Sequence, residues 1–290
     1  MRDFVIMTDS CCDMTDQMAR ELELEVLPLC LEMGGKEYRN LLDGSELDFQ
    51  EFYNRIRAGE EATTSAVSVG AFEERMRAIL SQGKDILCIN FSSALSTTYQ
   101  SAVIAAEELQ SEFPDGKVLV VDSLCASLGQ GLLLYLCVQQ KRAGKSLEEV
   151  HAFAQETKGK VCHWFTVDDL NHLKRGGRIS AATALFGTML SIKPVMYTSP
   201  EGKLIPMGKA RGMKAALTEL VNTMDKLAIR PIREPVFICH ADCPDSVDYV
   251  KGLLYERFGI TDVRADYIGP VIGSHTGCGT LGLFFMGTER

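Results

Sequence analysis

Short apolar runs alternate with longer amphipathic segments along the first half of the chain. The apolar runs at 4–8, 85–91 and 117–122 are typical of buried strands, and two shorter strands are predicted around the tight turn at Gly34-Gly35. Periodic apolar positions predict helices at 15–24 (capped by Asp13), 48–58, 71–82, 97–112, 127–143 and 146–157. Strands that alternate with helices indicate crossover units and a mainly parallel sheet.

The pattern changes after the helix at 146–157. The segment "MYTSPEGKLIPM" (196–207) predicts two strands joined by a turn, an antiparallel arrangement. Further elements are predicted as helices at 181–188, 211–228 and 245–258 and strands at 235–241 and 281–286, the last assignable to either sheet. We therefore place a domain boundary at 160/161, with an N-terminal α/β domain at 1–160 and a C-terminal domain at 161–290.

Composition excludes several classes of partner. The chain has 290 residues, 46% hydrophobic and 24% charged, with a formal net charge of −9. This charge argues against a nucleic acid or an anionic membrane as the main partner. No apolar stretch approaches the ~20 residues that cross a bilayer, and the first residues do not resemble a signal peptide. We expect a cytoplasmic protein without stable membrane insertion.

The ten cysteines do not form a disulfide or metal framework. Several lie inside apolar runs, as buried free thiols do. The cluster Cys239, His240 and Cys243 could offer zinc three ligands, but a fourth is not apparent, so we expect no metal. The adjacent Cys11 and Cys12 fit no functional pattern.

Three predicted strands of the first half end in hydroxyl and acidic residues. These endings are Thr8-Asp9-Ser10, Ser92-Ser93 and Asp122-Ser123. Such residues also cap helices, but ligands of an open parallel sheet collect at the carboxyl ends of its strands. Three endings of this kind in one sheet predict a polar pocket.

Two further segments are candidates for the same pocket. "TTSAVSVGAFEE" (63–74) contains Thr64 and Ser65 ahead of a helix that Ser68 caps. "GPVIGSHTGCGT" (269–280) places His275 among closely spaced glycines, which allow backbone to approach a ligand.

A basic segment, "LNHLKRGGRIS" (170–180), stands out in an acidic chain. It is either a solvated turn or a contact for an acidic or phosphorylated partner. The cations assigned to such a docking face are Lys174, Arg175, Arg178 and Arg211.

Familiar enzyme motifs are absent from the sequence. It contains no P-loop, no dinucleotide-binding glycine motif, no H-E-x-x-H and no G-x-S-x-G. One enzyme reading stays open, an acyl-ester hydrolase with Ser92 or Ser93 as nucleophile and His275 as base, oriented by Asp9 or Asp122.

Taken in order, these segments resemble the DegV family of bacterial fatty-acid-binding proteins. The resemblance rests on "IMTDS", "TTSAVSVGAFEE", "FSSALSTTYQSA", "VVDS", "DDLNHLKRGGRIS", "IKPVMY" with "GKARGMKAAL", and "GPVIGSHTGCG". These stretches run from residue 6 to residue 279, so the resemblance covers nearly the whole chain.

The resemblance implies a two-domain fold, an N-terminal mainly parallel α/β domain beside a C-terminal α/β domain with a largely antiparallel sheet. A long-chain fatty acid would lie in a tunnel between them. Its carboxylate would be bound by Thr64, Ser93 and His275, with Ser65, Ser92, Ser96 and Thr276 as secondary pocket residues. Neutral hydroxyls and an imidazole suit this task, because they supply donors without burying a full charge.

The family also implies a partner. The protein would not act as an enzyme alone and would need no cofactor, but would present its acyl chain to a separate fatty acid kinase that docks on the basic segment. The rivals are the hydrolase and a carrier of another hydrophobic carboxylate. The chain departs from the family pattern at Thr97, usually Gly, at Cys278, usually Pro, and in "TTSAVS", which lacks the common Gln-Pro.

Overall fold

A computed structural model describes residues 2–180 and 191–290. The helix predicted at 181–188 lies outside these residues. The first half contains strands β1 (Phe4–Asp9), β2 (Leu24–Leu27), β3 (Cys30–Met33), β4 (Lys36–Arg39), β5 (Ala62–Ser65), β6 (Asp85–Asn90) and β7 (Val118–Asp122). Its helices are α1 (Asp16–Glu21), α2 (Phe49–Arg57), α3 (Val69–Leu80), α4 (Thr98–Leu109), α5 (Leu128–Arg142) and α6 (Leu147–Thr157).

The second half has the remaining elements. Its strands are β8 (Val161–Thr166), β9 (Ile192–Thr198), β10 (Leu204–Arg211), β11 (Val236–His240), β12 (Val263–Tyr267) and β13 (Leu281–Met286). Its described helices are α7 (Leu170–Arg175), α8 (Met213–Leu227), α9 (Pro244–Phe258) and α10 (Pro270–Thr276).

A four-stranded sheet forms the centre of the first half. Its order is β2-β1-β6-β7 and all three pairings are parallel, which confirms the predicted parallel sheet. Every residue of β6 is buried because helices cover both faces of such a sheet. The carboxyl ends of β1, β6 and β7 therefore meet at one edge, where the polar endings predicted from sequence lie.

A small antiparallel sheet of order β4-β3-β5 stands beside the parallel one. The predicted turn between β3 and β4 is confirmed, with positive φ at both Gly34 and Gly35. The third strand, β5, was not predicted from the sequence. Its residues alternate between half-buried and exposed without an apolar run, so only pairing with β3 identifies it as a strand.

The second half is built on a six-stranded sheet of order β10-β9-β8-β13-β11-β12. Four of its pairings are antiparallel and only β11-β12 is parallel, which confirms the largely antiparallel sheet. Strand β13, assignable to either sheet from sequence, lies between β8 and β11 in this one.

One apolar core joins the two halves. Phe237, Ile268 and Phe284 of the second half belong to the same buried cluster as the strands of the parallel sheet. Helix α5 links them: a Cβ at Gly129 would lie 2.9 Å from the Phe284 ring, so the glycine permits close contact. All strands of the parallel sheet precede residue 161, and all strands of the six-stranded sheet follow residue 160. The apolar core, however, contains residues from both sides of this boundary, so the division into two domains stays a prediction.

The start of the first helix differs from the prediction. Thr15, not Asp13, caps α1, and its hydroxyl accepts a hydrogen bond from Met18 N. Asp13 is buried with a φ of 49°, outside the helix, and its carboxylate serves other partners described below. None of the helices in the described part of the chain has the length and apolar character to span a bilayer.

Candidate functional site

A cavity of about 430 Å³ lies between the six-stranded sheet and the carboxyl edge of the parallel sheet. Its apolar lining comes from both halves of the chain, and includes Leu29, Phe91, Leu95, Phe165, Leu173, Leu204, Ile268, Val271 and Ile272. Its polar lining includes Thr64, Ser65, Ser93, Ser96, Ser127, His163, Arg178, His275 and Thr276. The cavity is thus mostly apolar, with polar side chains from several elements.

Thr64 and His275 form a hydrogen-bonded pair in this cavity. Thr64 lies on β5 and His275 on α10, 211 residues apart in sequence. Thr64 Oγ1 is 2.8 Å from Nε2 of the imidazole. The antiparallel pairing of β5 with β3 and the packing of α10 against β5 bring them together.

The imidazole of His275 is neutral at physiological pH. Burial, and secondarily the nearby Arg178 cation, lower its pKa to about 4. A neutral imidazole carries a single N–H, so the pair can orient one proton toward an acceptor in the cavity.

Ser93 is the third member of the predicted carboxylate set and also lines the cavity. It lies in the loop after β6, where its backbone N–H donates to Asp122 Oδ1 over 3.2 Å. Asp122, at the end of β7, also accepts from Leu124 N, so it orders both loops at this edge. The structure therefore brings Thr64, Ser93 and His275 to one cavity.

The secondary candidates separate into two groups. Ser65, Ser96 and Thr276 line the cavity, whereas Ser92 does not. Ser92 is fully buried and its hydroxyl donates to Gly202 O at 3.0 Å, a contact with the β9–β10 turn. The Ser96 hydroxyl accepts from Thr98 N, the first residue of α4.

Arg178 lies elsewhere than the sequence prediction suggested. It was assigned to an exposed docking face, yet it is half-buried and lines the cavity. Its Nε donates to Leu95 O at 3.1 Å and its Nη1 donates to Gly176 O. The guanidinium thus supplies positive charge beside His275, a consequence of the Gly-Gly turn that follows α7.

The other predicted docking cations are exposed. Lys174 and Arg175 lie at the end of α7, and Arg211 ends the edge strand β10. Arg175 Nε lies 3.7 Å from Glu61 Oε1, and Arg175 Nη2 donates to His172 Nδ1 at 2.9 Å. The structure therefore leaves these three cations accessible from solvent.

Two of the three departures from the family pattern, Thr97 and Cys278, have ordinary places in this fold. Thr97 lines the cavity at the start of α4 and forms no side-chain cap hydrogen bond. The Cys278 thiol is half-buried and contacts Tyr53 O at 3.5 Å. Neither residue interrupts the pairing of Thr64 with His275.

The hydrolase arrangement is not assembled in the described part of the chain. His275 Nε2 pairs with Thr64 rather than with Ser93, and no carboxylate contacts its ring. The Asp9 carboxylate instead accepts from Phe91 N and Cys11 N, and its pKa is raised by burial. Both candidate orienting acids hold loops together.

The cluster Cys239, His240 and Cys243 does not converge on a point. Successive strand residues face opposite sides of a sheet, so Cys239 lines the cavity while His240 lies against Tyr267. The Cys243 thiol contacts Thr280 O at 3.5 Å. All ten cysteines are free thiols.

His163 and Cys239 are cavity residues that sequence reasoning did not assign to the site. His163 lies in "VCHWFT", the buried central strand β8, which the predicted domain boundary obscured. His163 and Phe165 are two positions apart on one strand, so their side chains point to the same face of the sheet. This spacing is the one sequence signal that they belong together.

Comparison with known proteins agrees with this architecture. The family model described as "Uncharacterised protein, DegV family" matches residues 3–288. A DegV domain-containing protein of Clostridium perfringens is 44% identical over 290 residues, which cover 100% of this chain and 99% of that one.

Two solved structures share the whole fold. A DegV family protein from Thermus thermophilus, described by its fatty acid binding, superposes with a TM-score of 0.89 at 32% identity, covering 99% of this chain and 100% of that one. A Thermotoga maritima protein, described as revealing a fatty acid binding function, gives a TM-score of 0.86 at 28% identity, covering 99% and 100%. With a family model that spans nearly all of its residues, this chain belongs to the DegV family.

Proposed function

We propose that the cavity binds a long-chain fatty acid whose carboxylate is held by Thr64, Ser93 and His275. The observation that carries this proposal is the Thr64–His275 pair, with Ser93 beside it, in a mostly apolar cavity. Its volume of about 430 Å³ lies in the range of small-molecule sites. The fatty acid binding described for the Thermus and Thermotoga proteins supports the same ligand here.

The two ends of the ligand contribute differently. Each buried methylene contributes about 0.8 kcal/mol, so the tail supplies most of the affinity. The hydroxyls, the neutral imidazole and the Arg178 cation orient the carboxylate and compensate its lost hydration. The carboxylate end then lies near the exposed Ser93, where a second protein can reach it.

Denaturing mass spectrometry of lipid extracted from the purified protein tests the ligand directly. We expect a stoichiometric fatty acid. Thr64→Ala and His275→Ala should each weaken binding by about 10- to 150-fold without abolishing it, the effect of one lost hydrogen bond to a charged group. Thr63→Ala, on the exposed face of the same strand, is the matched control and should bind normally.

Absence of extracted lipid, together with no binding of added fatty acid, would overturn the proposed ligand. Complete loss of binding in either single variant would contradict the inference that the tail supplies most of the binding free energy.

We also propose that the protein is an acyl carrier, which presents the carboxylate to a separate fatty acid kinase, rather than an enzyme alone. The exposed cations Lys174, Arg175 and Arg211 support a docking face for an acidic surface. Steady hydrolysis of a chromogenic acyl ester that Ser93→Ala abolishes would favour the hydrolase instead.

Charge removal tests the docking face. Lys174→Ala and Arg211→Ala should bind fatty acid normally but lower acyl phosphate formation when a fatty acid kinase and ATP are added. Lys84→Ala, at the amino end of β6 and so at the opposite edge of the sheet, is the control. Equal rates for all three variants would remove the docking assignment.

A further inference from the structure

The floor of the cavity is the central part of the six-stranded sheet. His163 and Phe165 on β8 and Cys239 on β11 all face it. Gly282 on β13 lies in register between Phe165 and Cys239, and a Cβ there would be 2.8 Å from Cys239 Sγ. The glycine therefore lets the Cys239 thiol and the Phe284 ring pack closely against β13, beside the row that contains His163.

The imidazole of His163 is buried, and one of its two ring nitrogens already has a hydrogen-bond partner. The residue is 5% exposed, and Nδ1 is 2.9 Å from Thr198 Oγ1 on the neighbouring strand β9. The Phe284 ring lies 4.6 Å from the imidazole centroid on the other side. Among residues 2–180 and 191–290, Nε2 has no hydrogen-bond partner.

The remaining polar side chains of this region are already engaged. The Ser127 hydroxyl donates to Asp13 Oδ2 at 2.6 Å, and the Thr280 hydroxyl donates to Thr276 O at 3.1 Å. The Cys239 thiol is only a weak donor. Nε2 of His163 is therefore the strong polar atom of the cavity floor that is left for a ligand.

We propose that the cavity selects an acyl chain that carries a hydroxyl group along its length, hydrogen-bonded to Nε2 of His163. The inference rests on the proposed function, since it assigns the class of fatty acid. His163 lies on β8, whereas the proposed carboxylate donors lie on β5, α10 and the loop after β6. The hydroxyl is thus a second polar group, separate from the carboxylate.

The neutral state of the His163 ring is compatible with a hydroxyl group on the ligand. Burial, and secondarily the Arg290 cation, lower its pKa to about 3, so the ring is neutral and has one N–H. Depending on which nitrogen carries that proton, Nε2 donates or accepts. A hydroxyl matches either state because it can do both.

An unsubstituted chain fits less well. Its methylenes would cover Nε2 without offering a hydrogen bond, and an unsatisfied buried polar atom costs more than the net gain from a satisfied one. The preference follows from this difference, because both ligands bury similar apolar surface.

Competition against a fluorescent fatty acid tests the inference. The probes are octadecanoic acid and a series of its monohydroxy derivatives with the hydroxyl at successive carbons. In the wild type, one isomer or two adjacent isomers should bind at least about fivefold more tightly than octadecanoic acid. The ¹⁵N shift of His163 Nε2 should move with those isomers only.

Two substitutions control for the packing role of His163. His163→Phe keeps a ring of similar size without polar atoms and should reverse the preference, so that octadecanoic acid binds more tightly. His163→Gln keeps a group that can pair with a hydroxyl and should retain the preference. If His163→Phe does not fold, the proposal is still tested by whether the wild type prefers one hydroxy isomer and whether His163→Gln keeps that preference.

The outcomes separate this inference from the proposed function. Tight binding of octadecanoic acid with no favoured hydroxy isomer, or an equal preference in His163→Phe, would overturn the hydroxyl assignment and leave fatty acid binding standing. If none of the probes binds, the proposed function itself fails.

Discussion

Two imidazoles in this cavity, His163 and His275, are held neutral by their surroundings. Burial is the main cause of the lowered pKa in both, and a nearby arginine adds to it. Neither ring adds charge to the lining, so the positive charge beside the Thr64–His275 pair comes from Arg178. The site therefore combines neutral donors with one cation.

The buried neutral His163 makes stability depend on pH. Its pKa falls from about 6.5 unfolded to about 3 folded, so between these values only the unfolded state binds the proton. Its contribution is fully present above pH 6.5 and is lost as the pH falls toward 3.

Below pH 6.5, the unfolding free energy of His163→Gln should fall less steeply with decreasing pH than that of the wild type. We expect the two slopes to differ by up to about 1.4 kcal/mol per pH unit. Urea melts between pH 4.5 and 7 measure this. His151→Gln, at a more exposed ring, should change the slope much less. Parallel curves for wild type and His163→Gln would contradict the neutral state of His163.

Sequence reasoning could identify part of this site. Thr64, Ser93 and His275 were named because they lie in motifs that resemble those of the DegV family, and Ser93 also follows a predicted strand end. The pairing of Thr64 with His275 was not predicted, because it depends on contact across 211 residues. Arg178 was assigned to a docking face because it clusters with Lys174 and Arg175 in an acidic chain, and the turn direction that points it inward has no sequence signature.

Among the elements, helix α10 positions the imidazole. Gly269 N, at its start, donates to Asp13 Oδ1 at 3.0 Å, and Tyr53 Oη donates to Ile268 O at 2.7 Å. Gly273 faces α2 at close range: a Cβ there would lie 2.6 Å from Tyr53 Oη and 2.8 Å from Phe52. Both aromatic residues are fully buried and have little room to move.

Gly273→Ala should therefore push α10 away from α2 and displace His275, two residues later. We expect a destabilisation of about 1–3 kcal/mol and weaker fatty acid binding, measured by thermal melts and titration. Gly252→Ala on the exposed face of α9 has no atom within 4 Å of the new Cβ and should stabilise by up to about 1 kcal/mol. If Gly273→Ala changes neither stability nor binding, α2 and α10 are not in tight contact.

The elements predicted correctly are those with a strong apolar period. Strands β1, β6 and β7 and helices α3 to α6 were located within a few residues. Strand β12, "VRADY", escaped prediction because it is a partly buried edge strand with two charged residues. Helix α10 was expected to be a glycine-rich loop, and its burial against α2 and α7 overrides that composition.

At the scale of the molecule, sequence patterns and the family resemblance together identified both large sheets and their types, but not how they join. Strand-helix alternation encodes a parallel sheet locally. The continuous core, by contrast, depends on α5 fitting between the sheets, with Gly129 against Phe284. Such contacts between distant segments leave no periodic pattern.

Because both sheets wall the cavity, a bound acyl chain would complete the apolar core that joins them. A ligand that binds only the folded state stabilises it by about 2.7 kcal/mol at a concentration one hundred times its Kd. The lifetime of this protein in the cell would then follow the supply of its fatty acid, with the ligand-free form removed first by proteolysis. Abundance would itself report how much acyl chain is at hand.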